Sequence, residues 1–326
     1  MLPGFAYVRP TTLKDAFQYL GRDEARVHAG GTDLLGCLRD GVFEAGTLVS
    51  LSSVDGLRGI GAAPDGGLRI GALTTIAELA SHAAIRGRYA GLAQAAASVA
   101  SPQLRNQGTL GGNLCQRPRC WYYRGDFHCI RKGGDTCYAY EGENQGHCLF
   151  GGNLCFYVHP SDTAPALVAF GAVAQVSSLA GSRLVPLKDF FVPPSVNPTR
   201  ETALLPGEIL TSVTIPAAPA GLRSSYRKVR ARQTWDFALA GVALALLVEQ
   251  GVVRQARVVL SGAAAIPWSA IQAEQALIGK RLDGATIRAA AEAAVVGAQP
   301  LEQNGYKVAL FRGLVQEQLE AIGKEV

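Results

Sequence analysis

Gly108-Thr109-Leu110-Gly111-Gly112-Asn113-Leu114-Cys115 is the stretch that decides the fold, because a glycine turn leads here directly into a cysteine-rich segment. The peptide Gly-Gly-Asn-Leu-Cys recurs at residues 151–155, and six of the seven cysteines lie between Cys115 and Cys155. Thiolates bind soft metals, and glycine turns let backbone N–H groups approach phosphate or flavin closely. The sequence therefore predicts a metal centre and a nucleotide cofactor in one region.

A second glycine turn, Ala29-Gly30-Gly31-Thr32-Asp33, follows a predicted buried strand, Arg26-Val27-His28. The order of strand, turn and helix places Gly30 and Gly31 where a phosphate binds. Neither turn contains the Gly-Lys-Ser/Thr of a Walker loop or the Gly-x-Gly-x-x-Gly of a Rossmann turn. The two turns therefore predict a dinucleotide site of another architecture.

Composition and charge describe an ordinary globular protein of two or three structural units. The densest basic run, Arg223 to Arg232, is interpreted as a solvated face or a contact to a small anion, so we expect no nucleic-acid partner. The longest apolar run, Ala238 to Val248, is too short to span a bilayer. The N-terminus shows no secretion signal and the cysteines cluster in one segment, so a reducing compartment, the cytoplasm, is the default expectation.

Short strands and helices alternate along the predicted fold. Thr12 caps a helix to about Leu20, Thr75 caps one to about Ile85, and Ser161-Asp162 caps one through Phe170. The best linker is residues 216–221, which contain two prolines. Beyond it, the pattern predicts a separate α+β domain whose segments are strands at 224–229, 240–248 and 255–261, and helices around 267–279, 284–297 and 306–322.

Residues 115–155, here called the cysteine loop, contain the candidate metal ligands. The residues best suited to ligation are Cys120, Cys129, Cys137 and Cys155, which are separated by eight, seven and seventeen residues. Additional candidates are Cys115, Cys148, His128 and His147. Structural zinc sites usually pair ligands two to four residues apart, whereas a wrapping loop with wide gaps suits an iron–sulfur cluster. Zinc, or unligated or disulfide-bonded cysteines, remain alternatives.

Basic residues outnumber acidic ones in the first part of the cysteine loop. The basic side chains are Arg117, Arg119, Arg124, Arg131 and Lys132, and the acidic ones before Glu141 are Asp126 and Asp135. Thiolates and sulfides make a cluster anionic, so we interpret these cations as its electrostatic partners.

Taken together, these motifs resemble the FAD-binding subunit of the molybdenum hydroxylases, the relatives of xanthine dehydrogenase and carbon monoxide dehydrogenase. The further segments that carry the resemblance are Ser161-Asp162, Leu205-Pro206-Gly207-Glu208-Ile209-Leu210, Tyr226-Arg227-Lys228-Val229 and Asp236-Phe237-Ala238. It implies an α+β fold with a two-part FAD-binding domain of the vanillyl-alcohol-oxidase (PCMH) type and an inserted iron–sulfur loop. The implied domains are residues 1–220, with subdomains 1–58 and 59–220, and a C-terminal CO-dehydrogenase-flavoprotein-like domain, 221–326, with a small antiparallel sheet and helices.

The insertion between the glycine turn and Ser161 looks like the [4Fe–4S] loop of two branches, the bacterial periplasmic-type aldehyde oxidoreductases and the 4-hydroxybenzoyl-CoA reductases. Its sequence around Cys120 and at residues 142–150 looks more like the aldehyde branch. The resemblance implies Cys120, Cys129, Cys137 and Cys155 as cluster ligands. The FAD-binding residues that it implies are Ala29, Gly30, Gly31, Thr32, Asp33, Leu34, Thr109, Gly111, Gly112, Asn113, Ser161, Asp162, Leu205 and Lys228.

In this family, backbone N–H groups of residues 30–33 and 109–113 would hold the pyrophosphate, with Thr32 and Asn113 as side-chain donors. Lys228 would lie near the flavin as a cation. Asp162 would bond the ribityl chain, or would simply cap its helix.

The function implied is that of an oxidoreductase subunit without a substrate-oxidising site of its own. It would bind FAD and a [4Fe–4S] cluster in a heterotrimeric aldehyde oxidoreductase. Its partners would be a molybdenum-cofactor large subunit, a small subunit with two [2Fe–2S] clusters, and an external electron acceptor. The alternatives are a subunit of a 4-hydroxybenzoyl-CoA reductase-like enzyme and a zinc-stabilised binding module without redox activity. A partner's export signal would place the complex in the periplasm.

Overall fold

Three β-sheets follow one another along the chain in this computed structural model, which describes residues 1–22 and 24–324. The first is a parallel sheet in the order β1–β3–β2, made of β1 (Ala6–Val8), β2 (Ala25–His28) and β3 (Thr47–Ser50). Helix α1 (Leu13–Leu20) joins β1 to β2, and α2 (Leu34–Arg39) follows β2. Thr12 caps α1 by accepting a hydrogen bond from the Asp15 amide at 3.1 Å, as the sequence predicts.

The second sheet is antiparallel and takes the order β4–β5–β8–β6–β7. Its strands are β4 (Ile60–Ala62), β5 (Leu68–Gly71), β6 (Val173–Ser178), β7 (Gly181–Pro186) and β8 (Ile209–Ile215). The helices between β5 and β6 are α3 (Ile76–Ser81), α4 (Ala83–Arg88), α5 (Ala90–Ser98), α6 (Pro102–Gln107), α7 (Leu110–Leu114), α8 (Trp121–Arg124) and α9 (Thr163–Ala169). Helix α8 lies inside the cysteine loop.

The third sheet is also antiparallel, in the order β12–β11–β10–β9. Its strands are β9 (Leu222–Val229), β10 (Ala240–Glu249), β11 (Val252–Ser261) and β12 (Trp268–Ser269), and its helices are α10 (Ile271–Leu277), α11 (Gly284–Ala293) and α12 (Tyr306–Gly323). Helices α10 and α12 pack on this sheet, and so do α5 and α9 from the preceding unit. Two hydrophobic cores therefore meet at β10, which is why nine of its ten residues are buried and its sequence is continuously apolar.

Three local expectations from the sequence are corrected by the structure. The helix capped by Thr75 ends at Ser81, because His82 takes an extended backbone conformation and α4 begins after it. Strand β2 is largely half-buried, since it lies at the edge of its sheet. The first C-terminal helix begins only at Ile271, because the residues before it pair with β11 as β12.

The end of the cysteine loop is held by the start of α12. Asn304 is fully buried, and its side-chain amide donates to the carbonyls of His147 and Cys148 at 3.2 and 3.0 Å. The ammonium of Lys307, also fully buried, donates to the carbonyls of His147 and Gly262 at 2.9 and 2.6 Å. The C-terminal helix thus supplies hydrogen bonds that the loop backbone lacks locally.

Within the part of the chain described, no helix combines the length and apolarity that crossing a bilayer requires.

Burial of Lys307 predicts a pH dependence of stability. Desolvation lowers the pKa of this ammonium to about 8 in the folded chain, against about 10.4 in an unfolded one. Between these values the unfolded state binds more protons, so this residue makes the free energy of unfolding rise as the pH increases from about 8 to about 10. We expect Lys307→Met to remove this rise, on the order of 2 kcal/mol, in urea unfolding measured across that range. The prediction would be contradicted if the free energy of unfolding of Lys307→Met changed with pH in the same way as that of the wild type. Lys324 is exposed, so Lys324→Met is the control and should keep the wild-type rise.

Candidate functional site

Two adjoining cavities lie where the glycine turns meet, with volumes of about 230 and 190 Å³. Both are lined by Thr32, Asp33, Thr109, Gly112 and Gln116, so the two turns form the boundary between them. The first cavity extends to Phe43, Leu51 and Leu210, and the second to Asp162, Lys228 and Trp235. The predicted cofactor residues all line one or both cavities, except Ser161 and Leu205.

The first glycine turn offers free backbone donors. Among the described residues, no protein acceptor takes a hydrogen bond from the amides of residues 30–33. Gly31 has a φ of +71°, and a Cβ there would lie 2.8 Å from the Nε2 atom of His28. A side chain there is strained by the backbone conformation, and the His28 side chain would have to move to admit it. The turn therefore lines the cavity with N–H groups that no protein acceptor takes, and the anion site remains a prediction.

The second glycine turn differs from the expectation. The amides of Leu110, Gly111 and Asn113 donate to the carbonyls of Thr74, Ala72 and Thr109, respectively, at 2.9, 2.8 and 2.8 Å. The amide of Gly112 donates to the hydroxyl of Thr109, which caps α7, at 3.2 Å. These amides were expected to bind pyrophosphate. In the structure, two of them hold α7 against the segment after β5, and the other two bond to Thr109 at the start of the same helix.

Asn113 has a fixed orientation in the second cavity. Its Oδ1 atom accepts hydrogen bonds from the hydroxyls of Ser161 and Thr163 at 2.5 and 2.6 Å. Its two side-chain N–H donors are therefore turned away from these hydroxyls. Ser161 does not line a cavity itself. It orients Asn113, and its hydroxyl accepts a hydrogen bond from the Ala164 amide at 3.0 Å, so Ser161 supplies the predicted cap of α9.

A buried ion pair forms the floor of the second cavity. The carboxylate of Asp162 accepts hydrogen bonds from the ammonium of Lys228 at 2.8 Å and from the hydroxyl of Tyr226 at 2.7 Å. The side chains of Asp162 and Lys228 are only 4% and 3% exposed. Burial raises the pKa of Asp162, and the Lys228 charge opposes this effect. Asp162 precedes α9, but its side chain makes no capping hydrogen bond, so the simple helix-cap interpretation is wrong.

The four arginines of the cysteine loop pair with protein carboxylates, whereas Lys132 donates to the carbonyl of Gly125. Asp33 accepts from Arg119 at 2.6 Å, from Arg124 at 2.7 Å and from the Arg117 amide at 2.7 Å. The buried carboxylate of Glu201 pairs with Arg117 and Arg131. Burial disfavours the charge of Arg131, but adjacent Glu201 outweighs this effect and raises its pKa. Glu201 is a partner of these arginines that the sequence did not indicate.

The four candidate ligands of the cysteine loop lie in two adjoining apolar clusters. Cys120 and Cys137 pack with Cys155 in one, and Cys120 also packs with Cys129 in the other. The thiol of Cys155 donates to the sulfur of Cys137, and this hydrogen bond lowers the pKa of Cys137 to about 6. The Nε2 atom of His147 lies 3.3 Å from the sulfur of Cys120. Cys120 is thus common to both groups.

Within residues 1–22 and 24–324, no group of three or more His, Cys, Asp or Glu side chains is arranged to hold a metal ion. Cys148 is buried, whereas Cys115 is half-buried beside the first cavity. Burial raises the pKa of each thiol to about 12.

Known proteins resemble the chain over nearly its whole length. The family model for the FAD binding domain in molybdopterin dehydrogenase matches residues 3–128 and 148–218, and that for the CO dehydrogenase flavoprotein C-terminal domain matches 224–322. The chain belongs to the FAD-binding subunits of the molybdopterin dehydrogenases. The stretch between the two parts of the first match, residues 129–147, lies within the cysteine loop.

Individual relatives support this assignment. The aldehyde oxidoreductase FAD-binding subunit PaoB of Escherichia coli K12 is 38% identical over 95% of this chain and 96% of its own. The carbon monoxide dehydrogenase medium chain of Hydrogenophaga pseudoflava is 27% identical over 98% and 97%. A solved structure of carbon monoxide dehydrogenase from that organism has a TM-score of 0.78 at 28% identity and covers 98% of both chains. The predicted resemblance, fold class and FAD binding are confirmed.

FAD fits the residues present, because two cavities for the two halves of a dinucleotide meet at a turn with free amides. Sequence reasoning missed other lining residues, including Arg26, Phe43, Gln116 and Glu208. Leu205 was predicted but is half exposed, and its neighbour Leu204 lines the cavity instead. Both positions are leucines in an irregular segment before β8, so the sequence carries no pattern that distinguishes them.

Loss of Lys228 is expected to destabilise the FAD-binding subunit, because Asp162 would keep a buried charge without a partner. We predict that Lys228→Met lowers the free energy of unfolding by about 3–5 kcal/mol in urea denaturation of the FAD-free protein. The double variant Asp162→Asn with Lys228→Met should recover part of the loss. Arg227→Met is the control, since this neighbouring strand residue is exposed. A Lys228 variant as stable as this control would disprove the prediction.

Gly112 allows a cleaner test of cofactor contact than Gly31 or Gly111. A Cβ at Gly112 meets only the hydroxyl of Thr109, at 3.1 Å, whereas a Cβ at Gly111 meets Ala72, including its backbone, at 3.0 and 3.1 Å. We expect Gly112→Ala to leave stability within about 1 kcal/mol but to weaken FAD binding about tenfold, because the methyl group enters the cavity boundary. Flavin fluorescence titration measures the change. Gly313→Ala, at a helical glycine with open space around it, should bind FAD like the wild type.

Proposed function

We propose that this chain is the FAD- and [4Fe–4S]-binding electron-transfer subunit of a heterotrimeric, molybdenum-dependent aldehyde oxidoreductase. It receives electrons from [2Fe–2S] clusters of a small subunit and passes them from FAD to an external acceptor. The similarity to PaoB over nearly the full length supports the aldehyde-oxidising class. The relative described as a medium chain supports assembly with other subunits, of which a large one would carry the molybdenum cofactor.

The residues of this chain bind and orient the cofactor in this proposal. The free amides of residues 30–33 would donate to the pyrophosphate, and Thr32 and Asn113 would add side-chain donors at the boundary between the cavities. Lys228 would place a cation beside the flavin, since it lines the second cavity. FAD supplies the conversion between two-electron and single-electron transfer. The remaining predicted FAD-binding residues would shape the cavity walls.

Lys228 would be held in place for this role by Asp162. The carboxylate takes one of its three N–H donors, and the carbonyl of Ser98 lies 3.4 Å from the same nitrogen. A cation fixed in this way stabilises negative charge on a neighbouring ring without reorganising. Asp162 therefore positions Lys228 in this proposal, rather than bonding the ribityl chain.

A [4Fe–4S] cluster fits the donor set of the cysteine loop. Cys120 packs against both apolar clusters, one with Cys129 and the other with Cys137 and Cys155, and a cluster of four irons spreads its thiolate ligands more widely than a single ion does. The proposed ligands are Cys120, Cys129, Cys137 and Cys155. His147 would direct an N–H toward the sulfur of Cys120, and hydrogen bonds to ligand sulfur tune such clusters.

Metal content and electron transfer test the proposal together. Anaerobically purified protein should contain about one FAD and about four irons per chain. Serine at Cys120, Cys129, Cys137 or Cys155 should lower the iron content, because each removes a thiolate ligand. Cys148→Ser and Cys37→Ser are matched controls at buried cysteines outside the proposed set, and they should retain iron.

Turnover is measured in the complex with its large and small subunits. With aldehyde present, the FAD-depleted complex should still reduce its [2Fe–2S] clusters, but it should no longer reduce an external dye acceptor. Stoichiometric zinc without iron would disprove the cluster. Dye reduction that is independent of FAD would disprove the proposed electron path.

A further inference from the structure

The carboxylate of Asp33 lies between the two proposed cofactor sites. Asp33 completes the first glycine turn, whose amides are free, and it is the residue before α2. Its side chain makes no capping hydrogen bond to that helix, and it is only 17% exposed. The carboxylate faces the cysteine loop, and its only hydrogen-bond contact to α2 within residues 1–22 and 24–324 is the thiol of Cys37, 4.0 Å from Oδ1.

Both carboxylate oxygens of Asp33 are occupied by the cysteine loop. Oδ1 accepts from the guanidinium groups of Arg119 and Arg124 at 2.6 and 2.7 Å, and Oδ2 accepts from the Arg117 amide at 2.7 Å. Hydrogen bonds between charged groups are roughly twice as strong as those between neutral groups. Asp33 is therefore engaged by the loop at the point where its residue lines both cavities.

The same arginines fix the chain beside Cys120. Arg119 directly precedes this cysteine, and its guanidinium also donates to the Arg117 carbonyl at 2.6 Å. The guanidinium of Arg124 donates to the Pro118 carbonyl at 2.9 Å, and the Arg124 amide donates to the Cys120 carbonyl at 2.9 Å. A shift of Cys120 would therefore move the partners of Asp33, and a shift of the first turn would move the backbone that carries Cys120.

We propose that Asp33 is a positioning residue that makes FAD binding at the first glycine turn and cluster binding in the cysteine loop depend on each other. The cluster holds Cys120, the arginines hold Asp33, and Asp33 holds the turn with its amides facing the cavity. The inference rests on the proposed cluster. Coupling between two binding sites is reciprocal, so each cofactor strengthens the binding of the other by one common factor.

The test compares FAD affinity with and without the cluster. FAD is titrated by its fluorescence into flavin-depleted wild-type protein that retains its cluster, and into the same protein after the cluster is removed with ferricyanide and EDTA. We expect the dissociation constant to rise about tenfold on cluster removal, within the usual range of coupling between sites. In Asp33→Asn, which leaves the arginines without their anionic partner, the two constants should become equal.

Asp126→Asn is the matched control. Asp126 is an exposed aspartate of the same loop, and no hydrogen bond or ion pair to it is found within residues 1–22 and 24–324. In this variant, cluster removal should raise the FAD dissociation constant by the same factor as in the wild type. A second measurement follows iron release to a chelator with and without FAD, and it should show the same dependence on Asp33.

The outcomes separate this inference from the proposed function. Wild-type protein that holds FAD and iron but binds FAD equally well without the cluster would overturn the inference alone. The inference would also be overturned if cluster removal raised the FAD dissociation constant of Asp33→Asn by the same factor as in the wild type. General collapse of the loop would then explain the coupling. Protein that binds no iron would overturn both this inference and the proposed cluster.

Discussion

Pairing of loop arginines with two carboxylates is the interaction on which the site depends. Asp33 belongs to the first glycine turn and Glu201 to the segment before β8, yet both are bound by the cysteine loop. Buried carboxylates of this kind contribute little net stability when paired, but they cost several kcal/mol when a partner is lost. The paired state therefore allows only one placement of the loop against both segments. Both cavities depend on this placement, because Arg117 lines one and Arg119 the other.

A second buried pair joins the middle unit to the third sheet. Asp162 lies at the start of α9 and Lys228 on β9, so their ion pair fixes the third sheet relative to the helix that also carries Thr163, a partner of Asn113. The cofactor site is thus formed by segments that pack beside each of the three sheets. Its polar side chains are oriented by hydrogen bonds to one another, which is the arrangement expected where a charged ligand must be bound without reorganisation.

The sequence predicted local features well, since short-range physics determines them. The caps at Thr12 and Thr75 and the glycine turn with positive φ at Gly31 follow from side-chain and backbone preferences over a few residues. The apolar run from Ala240 to Val248 was recognised as a strand for the same reason. The family resemblance added the fold class and the cofactor, which local pattern alone does not determine.

Long-range pairing could not be predicted from the same patterns. The five basic residues of the loop suggested an anionic cluster, but nothing in their spacing pointed to Glu201, which is 84 residues from Arg117. The amides of Leu110 and Gly111 looked available because the residues after β5, whose carbonyls bind them, lie far away in sequence. A motif identifies which groups are suitable for a ligand, whereas competition from distant protein acceptors decides which groups remain free.

The hydrogen bonds from Asn304 and Lys307 to the cysteine loop have a consequence for biosynthesis. Domains of a growing chain fold from the N-terminus as they emerge from the ribosome. The first two sheets and the loop are translated before α12, so the carbonyls of His147 and Cys148 acquire these partners only after nearly the whole polypeptide has been made. The cysteines of the loop lie in the first half of the chain, yet the loop is one of the last parts of the newly made protein to reach its final packing.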